Sequence, residues 1–172
     1  MFSASAIVRG IQDEGVIATA KHWVNNEQET NRKTSSSDVD ERTRYELYYP
    51  PFVACIEAGV LAIMCSYNRI NRVGACENSD TINGDLKSTL GFQGWVMSDW
   101  LADHVSTRTD VMMNAGLDME MPYGLFYSEK MIMKAIDEGK IVEDTITQAV
   151  ERVLAAMYAI GMFDETVSIL WK

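Results

Sequence analysis

Three short apolar runs recur along this chain between stretches of helical periodicity, and each ends abruptly in polar residues. Residues 16–20 read Val-Ile-Ala-Thr-Ala and lead into Lys21-His22-Trp23. Residues 60–64 read Val-Leu-Ala-Ile-Met and lead into Cys65-Ser66-Tyr67-Asn68; residues 94–97 read Gly-Trp-Val-Met and lead into Ser98-Asp99-Trp100. Apolar runs that are continuous rather than alternating predict strands buried on both faces, as parallel strands are. Helical spacing predicts helices over 6–13, 41–48, 52–58 (opened by Pro50-Pro51), 85–90 and 110–115, with Gly15, Gly59 and Gly116 as stops. Two more close the chain. Ser128 is the expected cap of the first, which stops at Gly139, and the second carries Ile146, Ala149, Val150, Val153, Leu154 and Met157 on one stripe before Gly161. The methionines of these helices read as core filler.

Helices and strands in alternation mean an α/β fold with parallel strands. A doubly wound sheet gathers its site at one switch point, whereas a (β/α)8 barrel draws polar side chains from the ends of many strands to one rim. Here Lys21-His22, Ser66-Tyr67-Asn68, Ser98-Asp99-Trp100 and Asp118-x-Glu120 all follow strand-like segments, which favours the barrel. About four such units are visible in 172 residues, against about 250 for a full barrel. The expectation is therefore a partial (β/α)8 TIM-type barrel holding about the later half of the strands, as one domain over 1–172. The long polar loop 25–40 reads as functional or inserted rather than as a plain connector.

Composition removes several functions. The net charge is -10 with no basic stripe, so no nucleic-acid surface is expected. No apolar stretch reaches membrane-spanning length, and the N-terminal residues lack a secretion-signal pattern. Only His22 and His104 are present, with no H-x-x-x-H pair and no glycine-rich phosphate loop, so neither a metal site nor a cofactor is expected. Cys55, Cys65 and Cys76 lack metal-ligand spacing; one disulfide among them is open, and Cys65 reads most simply as a small buried residue.

Asp99 carries the chemistry. A carboxylate directly after a buried strand is costly to desolvate, and Trp100-Leu101-Ala102 makes it a poor helix cap. It fits an acid at the mouth of a pocket with the Trp100 indole as a wall. Taken singly, His22 also fits a buried supporting histidine, Arg32 a solvated surface arginine, Tyr67 packing and Met64 core. Together they combine donors and a stacking face suited to a sugar ring.

The motifs Lys21-His22-Trp23 with Asn26-Glu27-Gln28-Glu29 and Arg32, then Met64-Cys65-Ser66-Tyr67-Asn68, then Gly91-Phe92-Gln93-Gly94-Trp95-Val96-Met97-Ser98-Asp99-Trp100, then Gly116-Leu117-Asp118-Met119-Glu120-Met121-Pro122 resemble glycoside hydrolase family 3, above all its β-glucosidases of fungal type. The resemblance runs from about Ile7 to Phe163. It implies a retaining hydrolase of β-glucosides with Asp99 as nucleophile, and with Lys21, His22, Arg32, Met64, Tyr67 and Trp100 lining the sugar subsite. Lys21 and Arg32 would keep Asp99 ionised. Water would then hydrolyse the glycosyl ester with help from a second carboxyl group.

The segment after Lys21-His22 lacks the histidine-rich pattern of the family's N-acetylglucosaminidase branch, so a β-glucoside or short gluco-oligosaccharide is the expected ligand. In the family, early barrel strands supply further sugar-binding residues and a second domain supplies the acid/base Glu. None of Glu27, Glu29 and Glu120 is assigned that role. The expectation is a partial chain with little turnover of its own, extracellular by resemblance, open to self-association through uncovered barrel edges. The alternative is a non-catalytic carbohydrate-binding or interaction remnant.

Overall fold

A computed structural model of the chain describes residues 2–102 and 108–164; His104 lies outside them. The centre is a parallel sheet of three strands, β1 (Thr19–Trp23), β3 (Ala62–Cys65) and β6 (Trp95–Ser98), in spatial order β1-β3-β6. A parallel bridge from Met97 to Met119 adds a fourth segment beyond β6. Register aligns Lys21, Met64 and Met97 across the sheet, and Trp23, Cys65 and Ser98 one step later. The carboxyl ends of all three strands therefore meet at one edge.

Every residue of β3 and β6 is buried, as the continuous apolar runs demand. One face, with Ile63, Cys65 and Val96, packs with Trp23, Tyr49, Ile82, Leu86 and Met112. The other face presents Ala62, Met64, Trp95 and Met97 to Ala156 and Val153 of α6 (Glu143–Ala159). Around the sheet run α1 (Phe2–Gln12), α2 (Glu41–Thr43), α3 (Pro50–Glu57), α4 (Thr109–Asn114) and α5 (Glu129–Asp137). Gly94 admits β6 to the sheet, since a Cβ there would overlap the Leu61 carbonyl oxygen. Among the described residues no helix is long and apolar enough to cross a membrane.

Element types follow the sequence, but several details need correction. The first strand begins at Thr19, not Val16, which is 56% exposed, and it continues through Lys21-His22-Trp23. Pairing with β3 and burial of Trp23 carry the strand past the end of the apolar run. The expected helix over 41–48 is a short α-helix capped by the Asp40 carboxylate on the Thr43 N–H, followed by a wider π turn over Arg44–Tyr48. The helix expected over 85–90 is longer, a wide helical segment over Asp80–Thr89 that takes in Asn83-Gly84. Ser128 stands at the start of α5, yet its hydroxyl makes no capping bond among the described residues.

Part of the polar loop 25–40 is pinned by a small second sheet, in which β2 (Ser36–Ser37) pairs with β4 (Arg69–Ile70) and β4 with β5 (Val73–Gly74). Cys65 is not a lone apolar filler. It is bridged to Cys76, while Cys55 is free and buried.

Asp118 departs most from expectation. It does not stand at the strand-end rim, because its N–H bonds to the Val96 carbonyl at 2.9 Å near the start of β6. Its side chain is 1% exposed and is held by Lys87 Nζ and Arg152 Nη1, each at 2.9 Å, and by the Val96 N–H at 2.8 Å. Glu120 is also turned to structural use: its Oε2 accepts the N–H groups of Phe126 and Tyr127 at 2.9 and 2.7 Å, tying down the loop after Pro122. Among the described residues, three strand ends rather than four bring polar side chains to the edge.

Candidate active site

The site is built from those three ends. Between Lys21 and Trp23 the register with β3 slips by one, so His22 is an extra residue in a bulge. A bulge bends its strand and re-aims a side chain. Here His22 Nε2 comes to 3.1 Å from Asp99 Oδ2. Trp23 anchors the bulge from behind: its ring stacks on Tyr49 at 4.7 Å, and its Nε1–H donates to the Thr81 carbonyl at 3.2 Å. Tyr49 and Tyr45 in turn donate hydroxyls to Asp85 at 2.5 and 2.9 Å, with Arg44 at 2.9 Å completing a half-buried network.

Asp99 is 8% exposed and follows directly on β6. Its N–H bonds to the Cys65 carbonyl at 3.2 Å, continuing the ladder, and its Oδ1 accepts the Trp100 N–H at 2.6 Å. The chain then turns sharply, with Leu101 at φ 59° and the Ala102 N–H returning to the Asp99 carbonyl at 3.0 Å. Ser98 Oγ bonds with the Met121 backbone, fixing this turn against the fourth segment.

From the end of β3, Tyr67 donates its hydroxyl to the Trp100 carbonyl at 2.7 Å and lies within hydrogen-bonding reach of Asp99. Burial and the Asp99 charge push the Tyr67 phenol above its ordinary value, although Arg32 pulls the other way, so it remains a proton donor. The Arg32 guanidinium lies 4.4 Å over the Tyr67 ring and also pairs with Glu29 at 3.3 Å.

His22 is pushed below 6.5, first by burial. Asp99 pulls it up, whereas Lys21 and Arg32 push it down. Burial thus outweighs the Asp99 charge, and the imidazole stands 3.1 Å from the carboxylate, a pairing that orients Asp99.

Of the seven residues expected at the site, His22 pairs with Asp99, Tyr67 bonds to the carbonyl of the adjoining Trp100, and Arg32 joins them through the Tyr67 ring. Trp100 contributes its backbone at the contact point, while its side chain is 47% exposed beside it. Met64 sits on the buried face with Met97, next to Lys21 in register. Lys21 itself is exposed and borders a groove lined by Ile7, Val8 and Phe52 of α1 and α3. The supporting roles of Trp23, Tyr49 and Asp85 carry no local sequence signal beyond buried aromatics. Only the packing reveals them.

The glycosyl hydrolase family 3 N-terminal domain matches residues 2–156. A probable β-glucosidase L of Emericella nidulans is 44% identical over 161 residues, which is 90% of this chain and 21% of that protein. Among solved structures, a β-D-glucoside glucohydrolase from Trichoderma reesei superposes with TM-score 0.89 at 39% identity, covering 95% of this chain and 23% of that one. A Streptomyces venezuelae β-glucosidase solved with D-glucose gives TM-score 0.86 at 36% identity over 94% of this chain and 22% of its own. The chain thus spans about a fifth of the length of the relatives it matches. With its strand-end motifs and two independent kinds of likeness in agreement, the chain belongs to glycoside hydrolase family 3, within that family's N-terminal domain.

Proposed function

We propose that this chain carries the nucleophile-bearing part of a retaining β-glucosidase, as strands of a partial (β/α)8 barrel forming one domain over 1–172. The observation that carries the proposal is the His22–Asp99 pair, with Tyr67 bonded to the neighbouring Trp100 carbonyl, at the shared carboxyl edge of three parallel strands. In a barrel, that edge is where catalytic side chains gather. The barrel is further supported by Trp95, whose buried Nε1–H faces the Met64–Met97 side and has no partner among the described residues.

Asp99 attacks the anomeric carbon of a β-glucoside through the carboxylate that His22 and the Trp100 N–H hold in place. The aglycone oxygen leaves with the bonding pair, and a glycosyl ester on Asp99 results. Tyr67 positions the carboxylate and Arg32 frames it from above the ring. Lys21, Met64 and the Trp100 indole complete the sugar subsite. Water then opens the ester and a second carboxyl group takes its proton. Glu29 is engaged by Arg32 and Glu120 by the backbone of Phe126 and Tyr127, so neither is free for that work. With the acid/base outside this chain, ordinary aryl glucosides turn over poorly, since general acid help is worth about 10²–10⁴-fold. The substrates are β-glucosides or short gluco-oligosaccharides. The compartment is extracellular, with which the Cys65–Cys76 bridge agrees.

A dinitrophenyl β-glucoside tests this, because its leaving group departs without protonation. Release above the buffer rate by the 172-residue chain, lost in Asp99→Asn, is the expected result. Calorimetric binding of glucose with no release at all would favour a carbohydrate-binding role without catalysis.

A further inference from the structure

Beside the Tyr67 loop lies a cavity of about 280 Å³ whose lining includes Asn25, Asn26, Glu27, Ser37 and Asn68. Three buried side-chain acceptors that lack a partner among the described residues belong here: the Oδ1 atoms of Asn25, Asn26 and Asn68. Buried polar atoms are nearly always satisfied, so three on the walls of one cavity call for a ligand. Asn68 cannot escape by exchanging its amide ends. Its Nδ2 donates to the carbonyls of Val24, Asn25 and Arg69 at 3.2, 3.1 and 3.1 Å, which fixes Oδ1 as the atom left over. Asn25 and Asn68 are 4% and 1% exposed.

All three atoms are acceptors. A water molecule would bring two donors but also lone pairs of its own to satisfy, whereas a hard cation asks only for oxygens. Carboxamide oxygens, serine hydroxyls and one carboxylate, Glu27, are the ligand chemistry of calcium-class ions. No histidine or cysteine borders the cavity, so softer metals have nothing there to hold them.

We infer that this cavity binds an oxygen-ligated Ca²⁺-class cation between Asn25, Asn26, Glu27 and Asn68. The site joins the loop that carries Arg32 to the loop that carries Tyr67. The two loops are already linked there, as Ser37 Oγ donates to the Asn25 carbonyl at 2.7 Å and Asn68 Nδ2 approaches Ser37 Oγ at 3.4 Å. A bound cation fastens the Arg32–Tyr67 stack beside Asp99.

Calorimetry and thermal unfolding of the full chain with Ca²⁺, at constant ionic strength and with Mg²⁺ and Na⁺ as comparisons, test this. A single charged ligand implies weak, saturable Ca²⁺ binding with Kd about 10⁻⁴–10⁻³ M and a raised melting temperature, with little response to Mg²⁺. Glu27→Gln removes that charge from an exposed position and weakens binding by about tenfold. Asn26→Leu abolishes saturable binding, while circular dichroism without calcium shows both variants folded. Asp99→Asn binds Ca²⁺ as the parent does. Absence of a saturable Ca²⁺ response, an equal response to all three salts, or undiminished affinity in both Glu27→Gln and Asn26→Leu overturns the inference.

Discussion

Asp99 pulls the His22 titration up against the effect of burial, and this makes the pair measurable. The chain holds only two histidines, so the His22 imidazole can be followed by NMR with little overlap. It is expected to titrate below 6.5, because burial outweighs the attraction of Asp99. Replacing Asp99 by Asn removes the strongest raising influence, so His22 should titrate lower still; a rise would contradict the 3.1 Å pair. The sign for stability follows. A histidine whose folded value is depressed binds fewer protons folded than unfolded. Its contribution is therefore complete above about pH 6.5 and fades as the pH falls from there through the depressed value. Tyr67→Phe keeps the ring beneath Arg32 and loses the 2.7 Å bond to the Trp100 carbonyl, a loss of about 1 kcal/mol in denaturant titrations. Residue types at strand ends made His22, Tyr67 and Asp99 legible before any coordinates. Asp118 misled for the opposite reason. Its partners Lys87 and Arg152 lie 31 and 34 positions away, and no local pattern announces a charge neutralised over that distance.

At the level of elements, helices and strands were legible from period and run length, whereas boundaries and tertiary ties were not. Thr19–Trp23 begins three residues after the apolar run does, because pairing with Ala62–Cys65 outranks hydropathy at its end. The Asn83-Gly84 pair, a turn signal in isolation, is absorbed into a helical segment whose Ile82 and Leu86 are wholly buried. Likewise, three cysteines allow three pairings, and only the fold brings Cys65 to Cys76, 11 positions on. That bridge closes the segment bearing Tyr67 and Asn68. Reducing it is expected to lower stability by about 3 kcal/mol by the loop-entropy relation, read as an earlier midpoint in chemical denaturation. An unchanged midpoint in the fully reduced chain would show the bridge to be idle. Asp118→Ala strands Lys87, whose side chain is 10% exposed, beside the sheet. Breaking a buried pair from one side costs about 3–5 kcal/mol, read as a much earlier midpoint in chemical denaturation. A denaturation midpoint near that of the parent would contradict the buried triad.

On the scale of the molecule, among the described residues the sheet has an edge at β1 and ends beyond β6 in one parallel bridge to Met119. Open strand edges pair with other strands, so light scattering should show association of the 172-residue chain that grows with concentration. A monomer across the whole range would mean that those edges are protected. The same parallel arrangement explains why one carboxylate matters more than the other acids in a chain of charge -10. Among the described residues, Asp99 stands at the meeting of three strand ends with the His22 imidazole 3.1 Å away and the Trp100 N–H on its Oδ1. An activated fluoroglucoside with a dinitrophenolate leaving group traps such a nucleophile as a stable ester, and peptide mass mapping locates the adduct. One fluoroglucosyl group on the peptide containing Asp99, absent in Asp99→Asn, is the expected outcome. An adduct on any other carboxylate, undisturbed by that substitution, would contradict the assignment of Asp99 as the nucleophile.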